Sequence, residues 1–227
     1  MFRFLFILLV ALFWGCCKEN ACGDCIGTEE DHQLRTTGQC PDNFENDSFE
    51  NDVPYIPYIP MNWENSSLSF DTVVIGSQTW MAENLRYEAE NVACYDNDIE
   101  NCNIFGVLYD WETAKTICPA GWHLPSDMEW SILADFAGSN VGTKLKADSK
   151  LWISGEGTDD YGFNALPGGF YRNYFEEIGE TAGFWSATAG YQFGSAHFRY
   201  VKYSNDKLNI AGFWINRTMA YVRCVKD

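Results

Sequence analysis

Few side chains in this 227-residue chain could do chemistry, and they are scattered. Nine are cysteines: Cys16, Cys17, Cys22, Cys25, Cys40, Cys94, Cys102, Cys118 and Cys224. A thiolate attacks carbon or binds metal only in an electropositive, accessible setting, and outside a reducing compartment it is oxidised to a disulfide. Cys22-x-x-Cys25 followed by His32 and Cys40 offers zinc donors, but a single paired knuckle at this spacing matches structural zinc sites poorly. Small local disulfides among Cys17, Cys22, Cys25 and Cys40 are the expectation, with their pairing open. No metal and no cofactor is assigned.

Paired carboxylates stand at Asp159-Asp160 and Glu176-Glu177. Neighbours on a strand point to opposite faces, so neither pair forms a facing acid/base couple by itself, and both read as turn and surface charges. His123, between Trp122 and Leu124, has no Ser or Cys nucleophile beside it and reads as a hydrogen-bonded structural histidine. His197 lies within a strand and carries no stronger case. No glycine-rich phosphate loop occurs, and Leu166-Pro167-Gly168-Gly169 reads as a tight turn.

Aromatic residues make up 16% of the chain, enough to supply ligand contacts as well as a core. Sugars present flat C–H faces that stack on rings. Trp152, Tyr171, Trp185, Tyr191 and Trp214 are therefore the candidate ligand-facing residues, against the plainer reading that such rings fill the core. The formal net charge of -17 argues against nucleic acid and against electrostatic docking on anionic headgroups.

The elements that position these residues begin after a long approach. Arg3 precedes an uninterrupted apolar run of eleven residues, Phe4 to Trp14, too short for a spanning helix and suited to a signal-peptide core. Gly15-Cys16 follows, where a lipoprotein signal places a small residue before the acylated cysteine. Residues 1–15 are expected to be a lipoprotein signal peptide, with lipidation at Cys16. Residues 16–66 are expected to be a cysteine-containing linker: two acidic, lysine-free stretches between Asp42 and Asp52, then Tyr55-Ile56-Pro57-Tyr58-Ile59-Pro60. Proline at every third residue blocks helix and favours an extended spacer.

The globular domain is expected over 67–227. Thr72-Val73-Val74-Ile75 and Gln78 to Met81 read as strands around a Gly76-Ser77 turn. Tyr109 to Cys118 fits a short helix, with Trp111, Ala114 and Cys118 on one face, stopped by Pro119 and Gly121. Ser126-Asp127-Met128-Glu129 is a capping box opening a second helix that Gly138 closes. Later, Ala196 to Tyr203, Ile210 to Ile215 and Ala220 to Val225 read as strands, which makes the domain α+β.

Five motifs in this domain resemble the Fibrobacter succinogenes major paralogous domain family: Ile75 to Leu85, Cys118 to Ser126 with Glu129-Trp130, Gly157 to Gly169, Phe184 to Thr188, and Val222 to Lys226. Leu124-Pro125-Ser126 with Glu129-Trp130, and Arg223-Cys224-Val225, are also similar to the C-type-lectin-like fold and its formylglycine-generating, sulfatase-modifying branch. The resemblance implies two short helices, a twisted antiparallel sheet, long loops and a disulfide from Cys118 to Cys224. Cys94 and Cys102 would form a short local bridge. The calcium-lectin motif is missing, and Cys224 is committed to the structural pair, leaving no reactive cysteine beside it. The expectation is a non-catalytic lipoprotein of the cell envelope, anchored at the outer membrane, that binds polysaccharide or a surface protein. The alternatives are a diverged enzyme of the sulfatase-modifying fold and a structural display protein.

Overall fold

Among the described residues, regular backbone pairing begins at the β-branched run Thr72-Val73-Val74-Ile75. The computed structural model describes residues 70–155 and 157–227. The expected signal peptide, Cys16 and the 16–66 linker with its cysteines lie outside the described residues. β1 (Thr72–Ile75) and β2 (Gln78–Met81) form an antiparallel hairpin in which Ile75 opposes Gln78, as the alternation requires. Its turn needs glycine twice over: Gly76 sits at φ +64, and a Cβ there would press on the Phe136 ring at 2.9 Å.

Four α-helices follow where periodicity suggests two. α1 (Ile99–Phe105) is capped by Asp98, whose side chain accepts from the Glu100 N–H; seven residues are too few for a periodic signal. Ahead of it lie β3 (Val92–Ala93) and a 3-10 turn, Tyr95–Asn97. The expected Tyr109–Cys118 helix shrinks to α2 (Trp111–Ala114). Tyr109 belongs instead to β4 (Leu108–Tyr109), and Asp110 caps the helix by accepting from the Thr113 N–H at 2.8 Å. After β5 (Trp122–His123) comes α3 (Asp127–Ala137), whose capping box is complete: Ser126 bonds the Glu129 amide, and Glu129 returns to the Ser126 amide at 2.7 Å. α4 (Val141–Leu145) is the second helix that periodicity missed.

The remainder is sheet: β6 (Gly168–Arg172), β7 (Phe175–Ile178), β8 (Thr181–Ala189), β9 (Ser195–Lys202), β10 (Asn209–Trp214), β11 (Thr218–Tyr221) and β12 (Val225–Lys226). Gly168 and Gly169 thus open a strand rather than a turn; a Cβ on Gly169 would strike the Glu176 carbonyl of the paired strand β7 at 2.2 Å. One sheet runs β1-β2-β12-β5, and the larger runs β10-β9-β8-β6-β11-β4-β3 with β7 beside β6. The fold class is mixed α+β.

The larger sheet is buried on both faces at its centre, around β8. Phe184 and Trp185, neighbours on β8, point to opposite sides and are both fully buried. On the Phe184 side, Trp130 of α3 stacks on Phe184 with ring centroids 5.5 Å apart and lies 4.7 Å from Trp80. On the other, Trp185 packs with Phe198 and Tyr109. Among the described residues two disulfides lock this arrangement, Cys94–Cys102 and Cys118–Cys224.

At the centre Arg223 is buried. It lies over Phe163 at 4.5 Å and donates to Asn84 Oδ1, at 2.8 and 3.1 Å, and to the Met81 and Phe163 carbonyls. Burial pushes its pKa down to about 9, which leaves it charged at neutral pH. Three of the five sequence motifs, around Asn84, Phe163 and Arg223, therefore meet at one buried cation.

Candidate functional site

The richest grouping of exposed rings and ordered charges gathers where β9 meets β10. Their register sets Ser195 opposite Trp214, His197 opposite Gly212 and Arg199 opposite Ile210. Directly opposed residues share a face, so these six residues lie on one face of the sheet, where the three on β9 are buried and Ile210, Gly212 and Trp214 on β10 are exposed. The first turn of α3 lies over part of it. Arg199 Nε donates to Asp127 Oδ1 at 2.9 Å, and His197 Nδ1 bonds Asp127 Oδ2. The Asp127 amide in turn donates to Thr188 Oγ1 at 2.9 Å.

Burial alone would raise the Asp127 pKa, but Arg199 and His197 outweigh it and hold the carboxyl below its ordinary value. Its place in the first helical turn favours the same charge state. The result is an ionised Asp127 carboxylate held between His197 and Arg199, with the second ring nitrogen of His197 lacking a hydrogen-bond partner among the described residues.

Aromatic rings stand beside this cluster on the Tyr191 loop and on β10. The Tyr191 ring lies 5.1 Å from the His197 ring and is 98% exposed; Phe193 is fully exposed, and Trp214 is half-exposed. The loop that carries Tyr191 and Phe193 is tied at both ends: the Gly190 amide donates to the Ser195 carbonyl at 2.8 Å, and the Ile215 amide to the Gly194 carbonyl at 3.0 Å. Between Ile210 and Trp214, Gly212 is exposed and a Cβ there would meet nothing within 4 Å, while His197 opposite it is buried. A strand glycine of this kind allows close approach of another group.

Of the five ring residues expected to face a ligand, Tyr191 and Trp214 lie here and the other three do not. Trp185 is fully buried, and its Nε1 donates to the Tyr109 carbonyl at 2.8 Å. Trp152 is buried beneath the Lys146 ammonium, and Tyr171 is buried against Phe175. All three correct the expectation for one reason: the tertiary packing encloses them, which composition does not reveal. Phe193, Arg199 and Asp127 were missed. His197 and Arg199, two apart on a strand, shared a face legibly, but nothing in the sequence brought α3 over them.

The other titratable candidates are structural. His123 bridges Glu129 and Asp227, each at 2.6 Å, and so fastens the last residue to α3. Glu176 pairs with Arg172, and Glu177 with Lys202, both at 2.9 Å. Asp159 accepts from the Asn164 amide at 2.7 Å. A cleft of about 470 Å³ lies beyond the far end of β9, lined by Thr143, Lys146, Tyr203, Asn205 and Asp206 among others. Its ammonium is spent on the Gly155 carbonyl at 2.7 Å. Among the described residues no His, Cys, Asp or Glu grouping is arranged to hold a metal ion, and no helix is long and apolar enough to cross a membrane.

Comparison with known proteins agrees with the motif reading. No curated protein and no solved structure matches the chain significantly. A family profile described as the Fibrobacter succinogenes major domain matches residues 73–226, from β1 through the last strand. With the convergence of its motifs on Arg223 and the span of that match, the chain belongs to the Fibrobacter succinogenes major domain family.

Proposed function

We propose that this protein is a non-catalytic binding module of the cell envelope, held by a lipid on Cys16 and built on a C-type-lectin-like fold, that takes polysaccharide at the β9–β10 face. The observation that carries the reading is the exposed Tyr191 ring 5.1 Å from the His197 ring of the Asp127–His197–Arg199 cluster, with Trp214 exposed on the same β9–β10 face and Phe193 exposed on the Tyr191 loop. Sugar rings offer apolar C–H faces to aromatic platforms and hydroxyls to charged groups at their edges. Here the rings are already exposed, and the largely buried charged groups beneath them are held in place by one another, so little ordering is needed on binding.

A binding role is favoured over a catalytic one by the state of Ser195. It is the hydroxyl nearest to His197 along the strand, and it donates to the Gln192 carbonyl at 2.7 Å rather than to the histidine. A loop-borne platform also suits a surface that meets long, repetitive chains.

The test is binding of the full, oxidised chain to insoluble polysaccharides and to a glycan array. Saturable binding that falls at least tenfold in Trp214→Ala and in Tyr191→Ala supports the reading. It fails if no glycan is retained, or if both variants bind as well as the parent.

A further inference from the structure

The outer edge of β10 carries a second inference, independent of the glycan reading. We propose that it is a docking site for an extended, acidic polypeptide segment, which joins the larger sheet as an added strand.

Among the described residues β10 ends that sheet and pairs with β9 alone. In an antiparallel pair alternate residues direct both N–H and C=O away from the partner. None of residues 209–213 has its amide or carbonyl in a backbone bond beyond that ladder among the described residues, so this row is free. Free edges are normally blunted by shortness, charge, proline or bulges. The other edges conform: β3 and β5 have two residues each, β1 has four, and β7 carries Glu176 and Glu177. β10 does not. Asn209-Ile210-Ala211-Gly212-Phe213-Trp214 contains no proline and no charge, and its register with β9 is unbroken over six pairs.

Charge selects the occupant. Residues 70–198 carry six Lys and Arg against nineteen Asp and Glu, whereas residues 199–227 carry six against two. Within that basic stretch, Lys207 and Arg217 bracket β10, both exposed and neither in an ion pair among the described residues. Asp206, the nearest acid, lines the cleft with Lys146 and acts on its ammonium. A strand with acidic ends and a short apolar middle answers both features: its carboxylates reach Lys207 and Arg217, and its central side chains lie beside the open position at Gly212. Main-chain bonds then supply affinity and the ends supply direction. The glycan lies on the face of β10 and the peptide along its edge, so either can fail alone.

The probe is the heptapeptide acetyl-Glu-Thr-Val-Thr-Val-Thr-Glu-amide, added to the full oxidised chain, with hydrogen exchange followed by mass spectrometry. The expected result is exchange at least fivefold slower, confined to the segment containing residues 209–214. The Lys207→Glu/Arg217→Glu variant should weaken binding at least fivefold, and N-methylation of alternate peptide residues in one of the two phases should abolish it. No protection at 209–214 overturns the proposal, as does equal binding by a peptide with lysine ends. Protection that rises with protein concentration without peptide assigns the edge to a second copy of this chain, and also overturns it.

Discussion

Removing the two disulfides one at a time separates their contributions to stability. Cys118 and Cys224 are 106 residues apart in sequence and Cys94 and Cys102 only 8, so the cross-links restrict the unfolded chain very differently. Loop-closure entropy gives about 4.8 kcal/mol for the long loop and about 2.5 kcal/mol for the short one at 25 °C. Cys→Ala replacement also removes packed sulfur. Cys94, Cys102 and Cys224 are buried and Cys118 is only half-buried, so this added cost falls more on the short loop. That narrows the gap of about 2 kcal/mol between the pairs without closing it. With a urea slope of about 2.5 kcal/mol/M, the midpoint should drop by about 2 M in C118A/C224A and by about 1 M in C94A/C102A. Urea titration of both variants and the parent, followed by tryptophan fluorescence, measures this. An equal loss, or a larger one in C94A/C102A, would refute the argument from the unfolded state.

Three further outcomes are expected. Arg223→Met should cost about 3–5 kcal/mol, because it strips partners from Asn84 Oδ1 and from the Met81 and Phe163 carbonyls at once; a double-mutant cycle with Asn84→Ala should be strongly non-additive. For His123, burial lowers the pKa, but the bonds to Asp227 and Glu129 outweigh it and leave it above the ordinary 6.5, while Glu129 is lowered from 4.5. The histidine contribution is therefore complete below pH 6.5 and fades as pH climbs through the raised folded value; that of Glu129 is complete above pH 4.5 and fades as pH falls through its lowered one. His123→Asn should lower stability most between those limits, by under about 1 kcal/mol since His123 is partly exposed, and a difference that grows above pH 8 would contradict this. Trp185→Ala should cost about 3–5 kcal/mol through an uncollapsed cavity, whereas Tyr191→Ala should stay within about 0.5 kcal/mol of the parent, both read by thermal unfolding.

Local signals in the sequence translated directly into structure. The β1–β2 hairpin, the Ser126–Glu129 capping box and the Gly138 stop appear where residue type places them, since a turn glycine or a capping oxygen acts within a few residues. The motifs identified the family and carried the Cys118–Cys224 pairing with it. Short elements escaped: α1 and α4 span seven and five residues, less than two turns each.

What the sequence determined by itself was therefore the α+β class, the family, the β1–β2 turn and the caps of α3. Which rings meet solvent was decided only by the tertiary structure. Trp185 and Trp214 both sit on strands among aromatic neighbours, yet one lies on a strand enclosed by sheet and covered on both faces, and the other at the end of the terminal strand. The Asp127–His197–Arg199 cluster likewise joins residues about 70 apart in sequence, brought together because α3 packs Trp130 onto Phe184 of β8, the strand next to β9. Exposure and convergence are properties of what lies on the far side of a residue, and one strand's sequence holds no record of its neighbour's cover.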